Sequence, residues 1–169
     1  MKGYKIAVGV SREIGFFPVL VELDIPETAC VVKPLLGTFV NFDIIDKYRT
    51  DECTVVSVEN FTNAKCPDWN GKAFSLFELV DYWLNDYDTS AICTIYEKNY
   101  EIASYVDKDI TVNCGQGIHF FASKVDAKGF YYNDLKAWVY GSIYGLNQDI
   151  KNDESTGTKR KQFDALLDI

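Results

Sequence analysis

The alternation of apolar and polar residues predicts strands over much of the first sixty residues. The predicted strands are four runs rich in β-branched and aromatic side chains: Tyr4 to Val10, Val19 to Ile25, Thr38 to Phe42, and Cys53 to Val58. Period two is typical of strands that bury one face against a core. The second run has a proline on each side, Pro18 and Pro26, which are expected to bound the strand because proline cannot donate a ladder hydrogen bond.

The last of these runs also predicts which side chains share a face. Strict alternation places Thr54, Val56 and Val58 on one face and Val55 and Ser57 on the other.

Helical spacing of apolar residues appears first after residue 74. Five residues in the segment FSLFELVDYWLND lie at this spacing: Leu76, Leu79, Val80, Trp83 and Leu84. Ser75 is the expected N-cap of this helix. Further along, Ser123 is expected to cap a short helix that Gly129 interrupts, and a second helix is predicted from Asn133 to Tyr144.

This order of elements predicts the fold class and the domain organisation. Strands, one helix, more strands and then helices favour an α+β fold, with a mostly antiparallel sheet and two or three helices, over an alternating βαβ arrangement. Residues 1–146 are predicted to form a single globular domain. The sequence then becomes polar and mixed in charge, so residues 147–169 are predicted to be a mobile C-terminal tail, with one or two amphipathic turns at its end, residues 163–169, that dock weakly or onto a partner.

Composition narrows the classes of partner. The formal net charge is −8, whereas general nucleic-acid binding depends on clustered Lys and Arg, so general nucleic-acid binding is not expected. A small basic pocket for a single nucleotide remains open. The five cysteines show no CxxC spacing, which predicts a reduced, intracellular protein without a metal site. No apolar run approaches the length of about 18 residues that a membrane span requires, so no membrane partner is expected.

The strongest candidate for chemistry is the segment CGQGIHFF, which contains the single histidine of the chain. Gly115 and Gly117 allow a tight turn or a close approach of the backbone to a phosphate or ribose. On the strand that follows, alternation places His119 and Phe121 on one face, where an imidazole and a phenyl ring side by side suit a base or nicotinamide ring. The alternative is a hairpin in which His119 only hydrogen-bonds a neighbouring carbonyl.

A second candidate is the pair Lys47 and Arg49. Two cations separated by one residue share a face of a strand and suit a phosphate or carboxylate fork. The alternative is a solvated, charged strand edge.

Several of these segments, in this order and spacing, resemble an uncharacterised domain found in bacteriophages and giant viruses. The matching positions are Leu23–Pro26, Lys47, Arg49, Val55–Val58 and Gly117–Phe121. The resemblance covers about residues 4–132. It implies a viral origin and, with it, a location in the cytoplasm of the infected host cell.

The segment GQGIHFFASKVDAKGFY is also similar to a strand and helix of ADP-ribosyltransferases related to poly(ADP-ribose) polymerases. By position, His119 stands where the family has its nicotinamide-stacking tyrosine, Ser123–Lys124 match, and Tyr131 falls near the closing tyrosine. This resemblance implies an ADP-ribosyltransferase-like fold and a ligand such as NAD or ADP-ribose. It adds Tyr131 to the ligand-binding candidates.

Two catalytic features of that family have no counterpart in the sequence. The family holds the ribose with a His or Arg on an early strand, where this chain has Lys2 and Lys5. It also uses a late glutamate, whereas the only glutamate after Lys124 is Glu154, in the predicted tail. Without that carboxylate the electrostatic stabilisation of an oxocarbenium-like state is missing. No catalytic residue and no obligatory cofactor are therefore predicted.

The leading hypothesis is a virus-encoded accessory protein without catalytic activity. It would bind a host component, either a nucleotide-derived signal or a protein, and countering host antiviral defence is a reasonable purpose. The alternatives are an ADP-ribosyltransferase-like enzyme that uses NAD, and a structural or interaction module. The residues predicted to contact the ligand are Lys47, Arg49, Gly115, Gly117, His119, Phe121 and Tyr131.

Overall fold

The computed structural model describes residues 1–35, 37–40, 43–62, 69–85, 88–92, 94–153 and 157–169, with the backbone alone at 38–40, 43–44, 134–138 and 140. The strands are β1 Lys2–Ser11, β2 Gly15–Asp24, β3 Val31–Val32, β4 Thr38–Val40, β5 Asp43–Ile45, β6 Lys47–Thr50, β7 Glu52–Glu59, β8 Ala73–Phe74, β9 Ile95–Tyr96, β10 Glu101–Ala103 and β11 Ile118–Phe121. The α-helices are α1 Leu76–Leu84, α2 Lys124–Phe130, α3 Lys136–Asn152 and α4 Thr158–Asp168. A 3₁₀ turn spans Thr89–Ala91, and a π-helical turn, Tyr131–Leu135, joins α2 to α3.

The α+β class and the antiparallel sheet are confirmed. Nine strands form one sheet in the order β10-β7-β2-β1-β11-β6-β3, with β8 and β9 attached beside β1, while β4 and β5 form a separate hairpin. The described pairings are all antiparallel. The described residues form four α-helices rather than the predicted two or three, because α4 lies in the segment predicted to be a tail.

The sheet is curled, and Asp51 marks the bend that curls it. The chain passes through Asp51 from β6, which pairs with β11 and β3, into β7, which pairs with β2 and β10. At the bend, Asp51 accepts a hydrogen bond from the Ser104 N–H at its carbonyl oxygen (2.7 Å) and one from the Cys30 N–H at its carboxylate (2.8 Å). Ser104 directly follows the edge strand β10 and Cys30 directly precedes the edge strand β3, so Asp51 connects the two ends of the sheet.

The first two strands form a hairpin that runs in register from Lys2 opposite Asp24 to Ser11 opposite Gly15. The prediction that Pro18 bounds β2 is wrong, since Pro18 lies inside the strand opposite Val8. The physical reason is that β7 ends at Glu59 opposite Leu20, and the carbonyl of Pro18 accepts instead from the Thr62 hydroxyl (3.0 Å). The backbone nitrogen of Pro18, which carries no hydrogen, lies on the same side of the strand as this carbonyl and away from β1, so the pairing of β2 with β1 loses no hydrogen bond.

A β-bulge changes the predicted faces of β7. Glu22 pairs with Ser57 but Leu23 pairs with Val55, so Val56 is an extra residue. Cys53, Val55 and Val58 consequently share the buried face, although strict alternation puts Val55 and Val58 on opposite faces.

The two faces of the curled sheet carry separate cores. The buried side chains of the inner, concave face come from strands and loops alone, and include Ala7, Val19, Val21, Leu23, Cys53, Val55, Tyr96, Ile118 and Phe120. The outer face packs against the helices through Val8, Val10, Phe16, Leu79, Trp83, Val139, Ile143, Phe163 and Leu166. Alternation along a strand thus sends successive buried side chains to different cores.

The predicted helix signals are confirmed in part. Ser75 precedes α1 without a side-chain capping bond, whereas the Ser123 hydroxyl accepts a bond from the Asp126 N–H at the start of α2 (3.4 Å). Gly129 lies within α2 and does not interrupt it, and α3 runs on to Asn152. None of the helices in the described ranges is long and apolar enough to cross a bilayer.

The segment predicted to be a tail packs onto the rest of the chain in this structure. Leu166 is completely buried and the ring of Phe163 meets the edge of Phe16 with centroids 5.4 Å apart. Two side-chain-to-backbone bonds join α4 to α1: the Tyr82 hydroxyl donates to the backbone carbonyl of Gln162 (3.0 Å), and the side-chain amide of Gln162 donates to the backbone carbonyl of Tyr82 (3.2 Å). The mobility of residues 147–169 in solution stays a prediction.

Truncation of Leu166 tests whether α4 is docked in solution. Leu166→Ala should lower the free energy of unfolding by about 2–5 kcal/mol, because it opens a cavity in the helix-side core. Chemical denaturation measures the change, and Lys161→Ala, at an exposed position of the same helix, should change it by less than about 0.5 kcal/mol. Equal, small effects of the two substitutions would show that α4 is a mobile tail.

Candidate functional site

The structure brings four of the predicted ligand-binding residues together on two paired strands. In the pairing of β11 with β6, His119 lies opposite Arg49 and Phe121 lies opposite Lys47. Directly paired residues and residues two apart on a strand point to the same face, so all four share one face of the sheet. Tyr4 of β1, opposite Phe121, continues this face.

Arg49 makes the most side-chain hydrogen bonds of these four residues. Its side chain is completely buried, and its guanidinium donates to three carbonyl oxygens of one loop: Asp107 (2.7 Å, from Nε), Asp109 (2.7 Å) and Val112 (2.6 Å). Arginine suits this because its five N–H donors form a rigid fork. Arg49 is therefore not a solvated strand edge. This geometry supports a structural role, holding the loop between β10 and β11, rather than direct contact with a ligand.

Gly115 and Gly117 let that loop lie close to Arg49. A Cβ added at Gly115 would be 2.9 Å from the Cβ of Asp107 and 3.0 Å from Cζ of Arg49. Gly117 has a φ of +143°, a conformation that side chains with a Cβ rarely adopt. The glycines thus have a packing reason that needs no ligand, and their predicted contact with a ligand is untested.

His119 is tied to the same loop. Its Nε2 lies 2.6 Å from the carbonyl oxygen of Gly115, so Nε2 carries the proton and donates it. The sequence alternative, a bond from His119 to a neighbouring carbonyl, is confirmed. Burial lowers the pKa of His119 to about 4, the bond to Gly115 opposes this, and the charges of Lys47, Lys5 and Arg49 lower it further. The ring is neutral at pH 7, with Nδ1 as its remaining acceptor.

Lys47 and two aromatic rings form the neighbouring part of the face. The ammonium of Lys47 lies 5.4 Å from the ring centroid of Phe130 on α2 and 6.0 Å from that of Phe121. Burial and the charge of Lys5 lower the pKa of Lys47, while nearby Cys114 raises it. Phe121 is itself buried beneath Phe130, with ring centroids 5.2 Å apart. Phe130, which the sequence did not single out, is the half-buried ring of the pair.

The surroundings of His119 hold an excess of positive charge. Lys5, Lys47 and Arg49 all act on its pKa. Within the described residues the ion pairs are formed by Lys2, Arg12, Lys33 and Lys124, all more exposed, and by none of these three. Three cations around one neutral imidazole stand out in a protein of net charge −8, and the nearby Asp109 carboxylate interacts with Arg49. The sequence does not reveal this grouping of cations, because Lys5 comes from a different strand.

Tyr131 is placed in the helix-side core. It is 3% exposed and its ring meets the edge of Phe61 with centroids 5.4 Å apart. The strand pairings that bring the four central residues together do not involve it, and the structure gives no support to its role in closing a ligand site.

Lys2 and Lys5 stand where ADP-ribosyltransferases have an early-strand His or Arg, and Lys5 lies on the other face of the sheet from His119. Tyr4 shares the face of His119 and Phe121, so Lys5 points to the concave side, where its ammonium donates to the Tyr96 hydroxyl (2.8 Å). Lys5 and His119 therefore do not line one cleft. Lys2, on the face of His119, is exposed and lies 3.9 Å from the carboxylate of Glu22.

Comparison of the chain with models of known protein families, with curated proteins and with solved structures found no match. In the described parts of the chain, no group of three or more His, Cys, Asp and Glu side chains is placed to hold a metal ion.

Replacing Arg49 tests the structural role of its fork. Arg49→Lys keeps the charge but cannot bond three carbonyls in this geometry, so the free energy of unfolding should fall by about 3 kcal/mol or more. Amide hydrogen exchange in residues 104–117 should rise at the same time. Arg12→Lys is the matched control: among the described residues Arg12 forms an exposed ion pair with Asp164 (3.6 Å), so this substitution should lower the free energy of unfolding by less than about 1 kcal/mol. Unchanged exchange in Arg49→Lys would contradict the assignment.

The lowered pKa of His119 predicts a pH dependence of stability. The unfolded chain takes up a proton on His119 near pH 6.5 and the folded chain only near pH 4, so protonation favours unfolding between these values. The free energy of unfolding should therefore fall as pH drops through this window. His119→Gln keeps a donor for Gly115 but cannot titrate, and should remove this part of the pH dependence in urea titrations. If the free energy of unfolding depended on pH in the same way in both proteins, the predicted contribution of His119 would be refuted.

Proposed function

We propose that this protein is a non-catalytic binding protein for a small anionic, nucleotide-derived ligand, held at the face formed by Lys47, His119 and Phe130. The supporting observation is the half-buried ammonium of Lys47, which contacts two phenyl rings and, among the described residues, has no carboxylate within ion-pair distance.

An anion is the expected occupant because of the cost of an uncompensated buried charge. A partly buried ammonium loses some of its favourable hydration, and its interaction with aromatic rings offsets only part of that loss of free energy. Lys5 and Arg49 increase the positive potential at the same place. A phosphate or carboxylate of a ligand would pair with Lys47, which is the one of the three cations whose ammonium or guanidinium is not committed to a described hydrogen bond.

The other groups on this face favour a ligand that also carries a planar ring. Phe130 presents a half-buried ring beside the ammonium, and base-on-aromatic stacking is worth about 1–3 kcal/mol. Nδ1 of His119 is an acceptor without a described partner and suits an amino, amide or hydroxyl donor. A nucleotide-derived molecule combines the anion, the ring and the donor.

The same geometry argues against a chemical step. A general base works best with a pKa near the working pH, whereas that of His119 is lowered to about 4. The guanidinium of Arg49 is committed to three carbonyls, so it is not free to clamp a reacting group. Binding without turnover suits a virus-encoded protein that sequesters a signal of host antiviral defence in the host cytoplasm, which is the role that we propose from the viral resemblance.

A ligand screen tests this proposal. Thermal unfolding with NAD, ADP-ribose and cyclic nucleotides should find a stabilising compound: at about 1 mM and a Kd of about 10 μM, stabilisation is about 2.7 kcal/mol. Lys47→Met, which keeps the apolar stem, should weaken binding about tenfold or more in calorimetry. Lys98→Met, at an exposed turn residue, should leave the Kd unchanged. A ligand that binds Lys47→Met as tightly as the wild type would refute the site.

Incubation with labelled NAD and cell lysate separates binding from catalysis. No label should be transferred to protein. Transfer that is lost in His119→Ala would replace the proposal by the ADP-ribosyltransferase alternative.

A further inference from the structure

We propose that Lys5 is an imine-forming lysine that captures small, uncharged aldehydes on the concave face of the sheet, with Tyr96 as its proton donor. Lys5 and Tyr96 lie on the opposite face from Lys47 and His119, so the proposal is independent of the anionic ligand.

The geometry of the pair carries the inference. Lys5 on β1 points into the curl, on the same face as Ala7 and opposite Val21 of β2. Its ammonium lies 2.8 Å from the hydroxyl oxygen of Tyr96 on β9, and 4.7 Å from the centre of that ring. Tyr96 is 2% exposed, whereas Lys5 is half-buried. A nucleophile and a proton donor are thus held in contact at the margin of an apolar core.

The protonation states of the two groups suit this chemistry. Burial lowers the pKa of Lys5 to about 8, although Cys53 and Glu78 act in the opposite direction. At pH 7 about one molecule in ten then carries the free amine, compared with about one in several thousand for an ordinary lysine. Burial raises the pKa of Tyr96, so its phenol is protonated at pH 7 but is a weak acid, and it acts by relaying a proton that the amine returns to it. Lysines made nucleophilic by desolvation form Schiff bases with carbonyl compounds.

The reaction needs no reactant besides the aldehyde, the Lys5 amine and the Tyr96 hydroxyl. The Nζ lone pair attacks the carbonyl carbon, the C=O π pair moves to oxygen, and that oxygen takes the proton of the Tyr96 hydroxyl. Nitrogen then returns one proton to the phenolate, giving a neutral carbinolamine. A second cycle of proton donation from Tyr96 breaks the C–O bond and releases water, and loss of the remaining nitrogen proton leaves the imine. One water is released per imine, and Tyr96 ends protonated.

Charged and titratable groups face Lys5 from several elements. Tyr96 comes from β9, Cys53 from β7 and Glu78 from α1, and the charge of Lys5 also acts on Lys47 and His119 across the sheet. Burial raises the pKa of Cys53 to about 11, so its thiol stays neutral when the amine forms. The concave core around the pair is otherwise apolar, which is why an uncharged aldehyde is the expected class.

Reductive alkylation of the intact chain tests the proposal. The folded protein is treated briefly with propanal and sodium cyanoborohydride near pH 7, and peptide mass spectrometry measures the rate at each amine. Lys5 should be alkylated roughly tenfold or more faster than the exposed Lys98 and Lys108. The amino terminus, which donates a hydrogen bond to the carbonyl of Ile25 (2.8 Å), is followed as a second amine of the same chain. Lys5 reacting no faster than Lys98, or only in urea, would overturn the proposal.

Two further arms separate a reactive lysine from a merely buried one. The alkylation rate of Lys5 should level off above about pH 8, whereas the rate expected for an ordinary lysine amine, with a pKa near 10.4, keeps rising. Tyr96→Phe, which keeps the ring, should slow Lys5 about threefold or more and leave the amino terminus unchanged. An unchanged Lys5 rate in folded Tyr96→Phe would remove the role of Tyr96. A negative ligand screen would leave these rates unaffected, so the two proposals fail separately.

Discussion

The three hydrogen bonds from the Arg49 guanidinium to the carbonyls of Asp107, Asp109 and Val112 are the interaction on which the rest of this face depends. They hold an irregular loop against the sheet, and that loop in turn supplies the carbonyl that fixes the ring of His119. The two glycines are required by the same contact, since a side chain at Gly115 would collide with the fork. Because a buried guanidinium left unsatisfied is costly, the loop and the strand stabilise each other.

Charge is distributed against the trend of the whole molecule. An acidic protein would be expected to pair its buried cations with carboxylates, yet Lys5 and Lys47 face a phenol and phenyl rings instead. Burial is the main cause that lowers their pKa values, and Glu78, which acts on Lys5, and Cys114, which acts on Lys47, oppose it only in part. The two lysines differ in the consequence: one lies on a mixed, half-exposed face that suits an anion, and the other borders an apolar core that suits a neutral electrophile.

The sequence predicted the features that depend on local spacing. Period two located β1, β2 and β7, helical spacing located α1, and Ser123 located the start of α2. Features set by distant partners were missed: the bulge at Val56 depends on how β2 pairs, and the acceptors of Arg49 lie about sixty residues away. The docked α4 was predicted only as one or two weakly docking turns at its C-terminal end, because its deeply buried apolar residues, Phe163 and Leu166, are too few to outweigh a polar composition.

The bend at Asp51 has a consequence for the order in which the chain can fold during synthesis. The β1–β2 hairpin is complete once residue 24 has left the ribosome, and β7 can join it thirty-five residues later. The other end of the curl must wait for β10 and β11, which emerge only after residue 101. Contacts between distant parts of a chain are slow to form. Until then the nascent chain exposes both faces of an apolar sheet, because α3 and α4, which cover the outer face, emerge later still, so this is the stage at which chaperones would be most needed.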